Sequence, residues 1–298
     1  MRIIYVGMTG PLSLAPLVAL LDAGCPIAAV VTPGPMGMTD MRQLQPPPPV
    51  SQLPVATAYM ERNIIHLAWE QDIPVFESGA PGAPALQQAW RRLQPDVVFV
   101  SCFPHRIPAA LLALPRHGFL NLHPSLLPAY RGPFPLFWQL RDGLTEGGVT
   151  VHVMSEALDV GDIVLQESLV WPDGLSGAER ERLAGERGGA LFVEVVRQLE
   201  AGALPRRPQP QGGSYQPAPG AADFELDLAW SARRAFNFMR GTAHWGLPYA
   251  LTVAGRTLQL RRAIDYDVQQ RLPAPLVEAP SHVLIQFAQG VLRATPAA

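Results

Sequence analysis

GFLNLHPSLLPAYRG, residues 118–132, decides how this chain is read. Gly118 to His123 is a short apolar run of strand character that ends in two polar side chains, Asn121 and His123. It then enters a segment stiffened by Pro124, Pro128, Pro133 and Pro135. Residues i and i+2 of a strand point to one face, so the amide and the imidazole project together from the strand's carboxyl end. Open α/β sheets take their ligands at that edge. An amide can donate to a developing oxyanion while an imidazole moves a proton or stabilises the same charge, and acyl transfer needs both tasks. The structural alternative makes Asn121 a turn cap and His123 a satisfied buried histidine. The prolines favour a site, because they limit backbone freedom in a loop that must hold its shape beside a ligand.

Apolar runs and helical patterns alternate on the amino-terminal side of this stretch. RIIYVG (2–7), PIAAVVT (26–32), IPVFE (73–77) and DVVFVSCF (96–103) read as buried parallel strands. Between them lie an apolar helix LSLAPLVALLDAG closed by a capping glycine, a helix over 55–71 and one over 83–93. This order predicts a right-handed, mostly parallel, doubly wound α/β sheet of Rossmann-like type. The proline-rich segment 34–52, with Pro46 to Pro49 in succession, reads as a surface loop or flap.

On the carboxyl side, GVTVHVM (148–154) and DIVLQESLV (162–170) form a hairpin around ALDVGD, and a helix covers 177–200. Residues 204–222, rich in Pro, Gly and Gln, read as a linker between a domain over 1–203 and a second over 223–298. The second domain opens with a helix, LAWSARRAFNFMRG. LPYALTV, RTLQLRRAI, HVLIQF and GVLRA follow as short strands of a small β-rich, OB-like module.

Composition narrows the function classes. The chain has 298 residues, 48% hydrophobic and 16% charged, enough to bury at least one sizeable core, and its length suits two domains. No apolar stretch reaches a membrane span, and MRIIYVGMTG lacks the basic and cleavage regions of a signal peptide, so the expected location is cytoplasmic, away from membranes. Cys25 and Cys102 read as small core residues, with no spacing for a disulfide framework or zinc. All 23 basic residues are arginines against 25 acidic ones, and the clusters Arg180–Arg182–Arg187 and Arg261–Arg262 are too short and mixed for a nucleic-acid stripe. A nicotinamide site needs a glycine-rich first turn, and VGMTGP offers Gly7 and Gly10 without the GxGxxG spacing.

The turn ALDVGD offers Asp159 and Asp162, either of which could orient His123 or simply form the turn. NLHPSLLPAYRGPFP followed by GVTVHVMSEALDVGDIVLQ resembles the signature of the formyltransferases that use 10-formyltetrahydrofolate, among them methionyl-tRNA, glycinamide-ribonucleotide and amino-sugar formyltransferases. The resemblance covers residues 1 to about 203 and extends more weakly through SY (214–215) and the helix-plus-barrel tail. It implies that Asn121, His123 and Asp159 are catalytic and that Asp162 is a turn residue. An acceptor amine then attacks the formyl carbon of 10-formyltetrahydrofolate, Asn121 and His123 stabilise the oxyanion and shuttle a proton, and Asp159 orients His123 and raises its basicity. It also implies a pterin pocket between Phe103, Pro104, His105, Arg106 and Ile107 on one side and Ser155, Glu156, Ala157 and Leu158 on the other, with recognition largely by main chain and no metal.

The acceptor is where the pattern departs. Methionyl-tRNA formyltransferases carry a basic loop after the second strand, whereas PGPMGMTDMRQLQPPPP offers Arg42 as its single cation. Missing phosphate contacts remove much of the affinity that tRNA binding uses. The expected acceptor is therefore a small-molecule amine, such as an amino sugar nucleotide or amino acid derivative, with methionyl-tRNA as the alternative. A non-catalytic folate- or partner-binding relative is the remaining reading of another class. The sequence assigns no oligomeric state.

Overall fold

The computed structural model describes residues 1–46, 62–82 and 84–297. By packing, the chain divides into two units, the first formed by Met1–Arg131, Gly148–Ser168 and Glu181–Ser214, the second by Gly132–Gly147, Leu169–Arg180 and Tyr215–Ala298. The sequence drew its boundary at 203; in the structure 132–147 and 169–180 group with the carboxyl-terminal segment, and the expected linker divides after Ser214.

The chain runs β1 (Ile3–Gly7), α1 (Pro11–Asp22), β2 (Ile27–Pro33), β3 (Met41–Leu44), α2 (Ile64–Glu70), β4 (Val75–Ser78), α3 (Pro84–Leu93), β5 (Val97–Ser101), α4 (Ala109–Leu112) and β6 (Phe119–His123). It continues through α5 (Pro135–Arg141), β7 (Glu146–Val153), β8 (Ile163–Val170) and α6 (Gly177–Glu200). These strands form one eight-stranded sheet in the order β3-β4-β2-β1-β5-β6-β7-β8. Pairings β4–β2, β2–β1, β1–β5 and β5–β6 are parallel, and β3–β4 and β6–β7 are antiparallel. Every residue of β1 and β5 is buried, as the unbroken apolar runs required.

The carboxyl ends of β1 and β5 are tied to the start of α1. Ser13 Oγ donates to the Ser101 carbonyl at 2.5 Å, Ser101 Oγ donates to the Leu12 carbonyl at 2.7 Å, and the buried Tyr5 hydroxyl donates to the Ser13 carbonyl at 2.6 Å. The first turn is thus filled by side-chain hydroxyls.

Several expectations are corrected. The loop expected over 34–52 contains an edge strand, β3, because β4 offers an open edge for Met41–Leu44 to pair with; Pro47 to Pro49 of its proline run lie outside the described residues. The helix expected over 55–71 is described only from Ile64, where Asn63 Oδ1 caps the first turn; residues 55–61 lie outside the described residues. Pro135 begins α5 at a position where a missing N–H costs nothing. Both cysteines are free and only partly buried, so neither is a full core residue.

The second unit carries α7 (Ala232–Thr242) and a five-stranded sheet ordered β11-β12-β13-β10-β9, built from β9 (Tyr249–Val253), β10 (Arg256–Asp267), β11 (Leu276–Glu278), β12 (Val283–Gln286) and β13 (Val291–Pro296). All of its pairings are antiparallel. The helix expected from Leu228 starts four residues later. Asp227 Oδ1 accepts from Ala229 N–H in a local turn, and Ser231 Oγ caps the helix by accepting from Arg234 N–H at 3.1 Å. Phe238 is fully buried, with ring centroids of Phe137, Trp230 and Tyr249 at 5.5, 5.8 and 5.8 Å. Phe238→Ala should destabilise this unit by about 3–5 kcal/mol in a denaturant titration, the usual cost of removing a fully packed aromatic ring.

Candidate functional site

β6 ends between β5 and β7, so the polar pair at its carboxyl end is flanked by strands on both sides. Leu122, the residue between them, is buried on the opposite face, where Gly188 of α6 leaves room for it: a Cβ there would collide with its methyl groups. Asn121 pairs in register with His152 of β7. The Asn121 amide donates from Nδ2 to His152 Nε2 at 3.1 Å, and His152 Nδ1 lies 3.1 Å from the Val153 carbonyl. Acceptance at Nε2 puts the ring proton on Nδ1, where that carbonyl receives it. One amide hydrogen of Asn121 remains for another partner.

His123 is 4% exposed. Its Nε2 lies 2.8 Å from the Tyr130 carbonyl, an arrangement that fixes Nε2 as donor, and its Nδ1 faces Asp159 Oδ2 at 3.7 Å. The other carboxylate oxygen lies 3.5 Å from His152 Nε2. Asp159, 7% exposed, therefore sits between two imidazoles at distances beyond hydrogen bonding, and it attracts either ring only when that ring is protonated. Burial pulls the His123 pKa below its ordinary value; the facing Asp159 carboxylate and the Tyr130 carbonyl oppose that shift, and His152 adds to it. The ring is accordingly neutral at pH 7 and can accept a proton on Nδ1.

Two loops supply the partners of His123, and both depend on left-handed backbone. Tyr130 has φ 58° and Asp159 has φ 54°, conformations that cost a non-glycine residue about 1–3 kcal/mol. In the Asp159 loop, Gly161 is obligatory for a different reason: a Cβ would collide with the Val153 carbonyl oxygen, and the same loop is closed by Val153 N–H donating to the Asp162 carbonyl at 2.9 Å. This separates the two acids of the turn: Asp159 delivers its carboxylate to the histidines, while Asp162 contributes main chain.

The structure also brings together the two segments expected to frame a ring pocket. Ala109 N–H donates to Glu156 Oε1 at 3.3 Å, joining the segment after β5 to the one after β7. Phe103 is half-buried and meets the His105 ring edge-on at 5.3 Å; Leu158 is 37% exposed and Arg106 is exposed. Ile107, 4% exposed, belongs to the hydrophobic core beneath, with Phe103 and Met154 packed against it. Among the described residues, no group of three or more His, Cys, Asp or Glu is arranged to hold a metal ion.

Sequence reasoning missed His152. Its signal was its place in GVTVHVM, but only the β6–β7 register sets it opposite Asn121. What the arrangement offers is an amide hydrogen donor, a neutral buried imidazole and a carboxylate that supports its protonation, gathered at one strand end.

The formyl transferase family matches residues 2–196 of the chain. Among curated relatives, methionyl-tRNA formyltransferase of Desulforamulus reducens is 32% identical over 97% of this chain and 87% of its own length. That of Syntrophus aciditrophicus is 34% identical over 91% and 81%. Among solved structures, the N-formyltransferase of Helicobacter canadensis, in complex with folinic acid and dTDP-3-aminofucose, is 14% identical with a TM-score of 0.65 over 99% of both chains. That last likeness is one of fold, whereas the family match covers the whole of the first unit's parallel sheet together with Asn121, His123 and Asp159. The chain belongs to the formyl transferase family and is a formyltransferase.

Proposed function

We propose that the chain takes its formyl group from 10-formyltetrahydrofolate and delivers it to the amine of a small molecule, using Asn121, His123 and Asp159. The observation that carries the chemistry is the convergence of these three side chains at the carboxyl end of β6, with His123 Nδ1 facing the Asp159 carboxylate at 3.7 Å. The folate supplies an activated formyl group. The exposed Leu158, the half-buried Phe103 and the joined main-chain segments at 103–109 and 155–158 suit a flat ring with a polar edge. Asn121 donates its remaining amide hydrogen to the carbonyl oxygen as negative charge builds there. His123, neutral beforehand, takes the proton from the attacking amine, and the Asp159 carboxylate stabilises it until the tetrahedral intermediate collapses, the N10–C bond breaks and the proton passes to N10 of the departing tetrahydrofolate.

The small-molecule acceptor rests on the fate of Arg42. This single cation of the 34–52 segment donates to Glu77 Oε2 from both Nε, at 2.9 Å, and Nη2, at 2.7 Å. A guanidinium already paired contributes little phosphate attraction. Arg131, another candidate for a phosphate contact, is committed to Gln209 Oε1 at 2.8 Å. The names of the sequence relatives favour the second reading, methionyl-tRNA.

Incubation with 10-formyltetrahydrofolate and an amine panel that includes amino sugar nucleotides and initiator methionyl-tRNA, followed by tetrahydrofolate release, separates these. Turnover with a small amine and weak tRNA binding are expected. Turnover with the tRNA, its log affinity falling by ~0.9 per neutralised phosphate with log salt, would replace the small-molecule reading, and inactivity across the panel would favour a non-catalytic relative.

Asn121→Ala and His123→Ala should each lower turnover by ~10²–10³ with folding preserved. Asp159→Asn should remove most activity and Asp162→Asn mainly stability; the reverse order at equal foldedness would move the role to Asp162.

A further measurement is the pH profile. Because the folded pKa of His123 lies below its unfolded value of about 6.5, its neutral form persists to lower pH than in a free histidine. The rate should therefore rise through a midpoint under ~6.5 and stay level above it. His123 likewise contributes stability that is present above ~6.5 and lost as the pH falls through the lower folded value. A limb centred above ~6.5 would contradict the assignment of His123 as the titrating base.

A further inference from the structure

We propose that residues 207–214 form a strap that positions the site, with Gln209 holding the loops of Tyr130 and Asp159 against each other. This rests on the reading of His123 and Asp159 as the working pair. The segment was expected to be a linker, yet it is bonded along its length to the first unit. Arg207 exchanges main-chain hydrogen bonds with Ile163, at 2.8 and 2.9 Å. Gln209 Nε2 donates to the carbonyls of both Asp159 and Gly161 at 2.8 Å. Its Oε1 accepts from Arg131 Nη2 at 2.8 Å and Nε at 3.2 Å. Ser214 Oγ accepts from Tyr130 N–H at 2.9 Å, and the Ser214 carbonyl accepts from Arg131 N–H at 3.0 Å. Gly213, with φ 88°, lets the strap reach the other loop, since a Cβ there would collide with the Pro128 carbonyl.

Both residues the strap grips have left-handed backbones, Tyr130 at φ 58° and Asp159 at φ 54°. They also supply both partners of His123: the carbonyl that takes Nε2–H and the carboxylate that faces Nδ1. A residue in that region persists only where its surroundings over-determine it, and hydrogen bonds on its own amide or carbonyl do so directly. Gln209 has the two hydrogens and one oxygen needed to bridge two carbonyls on one loop and a guanidinium on the other. It touches none of the reacting groups, so its role is positioning. The groups facing His123 are Asp159, His152 and the Tyr130 carbonyl, and the strap fixes two of the three.

The test compares Gln209→Met, Gln209→Glu, Ser214→Ala and His123→Ala. Steady-state kinetics would use 10-formyltetrahydrofolate and whichever amine of the panel turns over; the 15N signals of the His123 ring would be followed against pH. Gln209→Met should lower kcat ~10-fold or more, with KM for the folate within ~2-fold and thermal stability nearly unchanged. The His123 titration should move further down as the carboxylate loosens. Gln209→Glu, which keeps the acceptor for Arg131 but loses both donors, should resemble Gln209→Met. Ser214→Ala should lower kcat by a smaller factor, and it carries the test if the Gln209 variants fail to fold. Wild-type kcat with an unmoved His123 titration in Gln209→Met and Ser214→Ala would overturn the strap, as would full activity of Gln209→Glu. Activity retained in His123→Ala would instead overturn the catalytic reading on which the strap rests.

Discussion

The carboxylate of Asp159, withdrawn from solvent between two imidazoles, is the constraint on which the site depends. A buried charge is expensive, and a neutral ring that presents an unprotonated nitrogen does not offset it: the carboxylate is held 3.7 Å from His123 Nδ1 and 3.5 Å from His152 Nε2, placed to stabilise a proton that arrives on His123. Each demand propagates outward. Two imidazoles near one carboxylate require β6 and β7 to be adjacent, antiparallel and in the register that opposes Asn121 to His152. Placing the carboxylate there requires a left-handed residue followed by a glycine that passes close to the Val153 carbonyl.

On the proposed reading, the same arrangement is why His123 suits proton transfer. Desolvation alone would leave a buried imidazole poorly basic, and a carboxylate alone would hold it protonated. Their opposition leaves a ring that is neutral at rest and has a charge waiting to stabilise its proton. Asn121 is held by its own hydrogen bond to His152, which fixes the orientation of its amide.

Substantial parts of this were legible in the chain. Short unbroken apolar runs rich in β-branched and aromatic residues, such as IIYVG and VVFVS, read as strands buried on both faces, and their alternation with helical patterns favours parallel crossovers. The pairing of Asn121 with His123 on one face follows from the period of a strand. Other features were not legible for physical reasons. β3 is short, proline-flanked and mostly exposed, and it is a strand only because β4 leaves an edge to pair with. The start of α7 was displaced by local competition at Asp227 and Ser231, which propensity summed over a window does not register. The strap has no periodicity at all, since its order comes from hydrogen bonds to loops more than forty residues away in sequence.

By itself, then, the sequence determined a parallel α/β sheet, a polar pair at one strand end and an acid in a turn, because these depend on local periodicity and on which residue types can do acyl chemistry. The likeness of the ALDVGD turn to the family motif already implied Asp159 over Asp162; only the tertiary structure decided how its carboxylate meets the histidines, that His152 joins them, and that a Pro- and Gly-rich segment is fastened across the site. Those outcomes depend on register between strands and on donors meeting carbonyls from distant loops, and no spacing along a single chain encodes them.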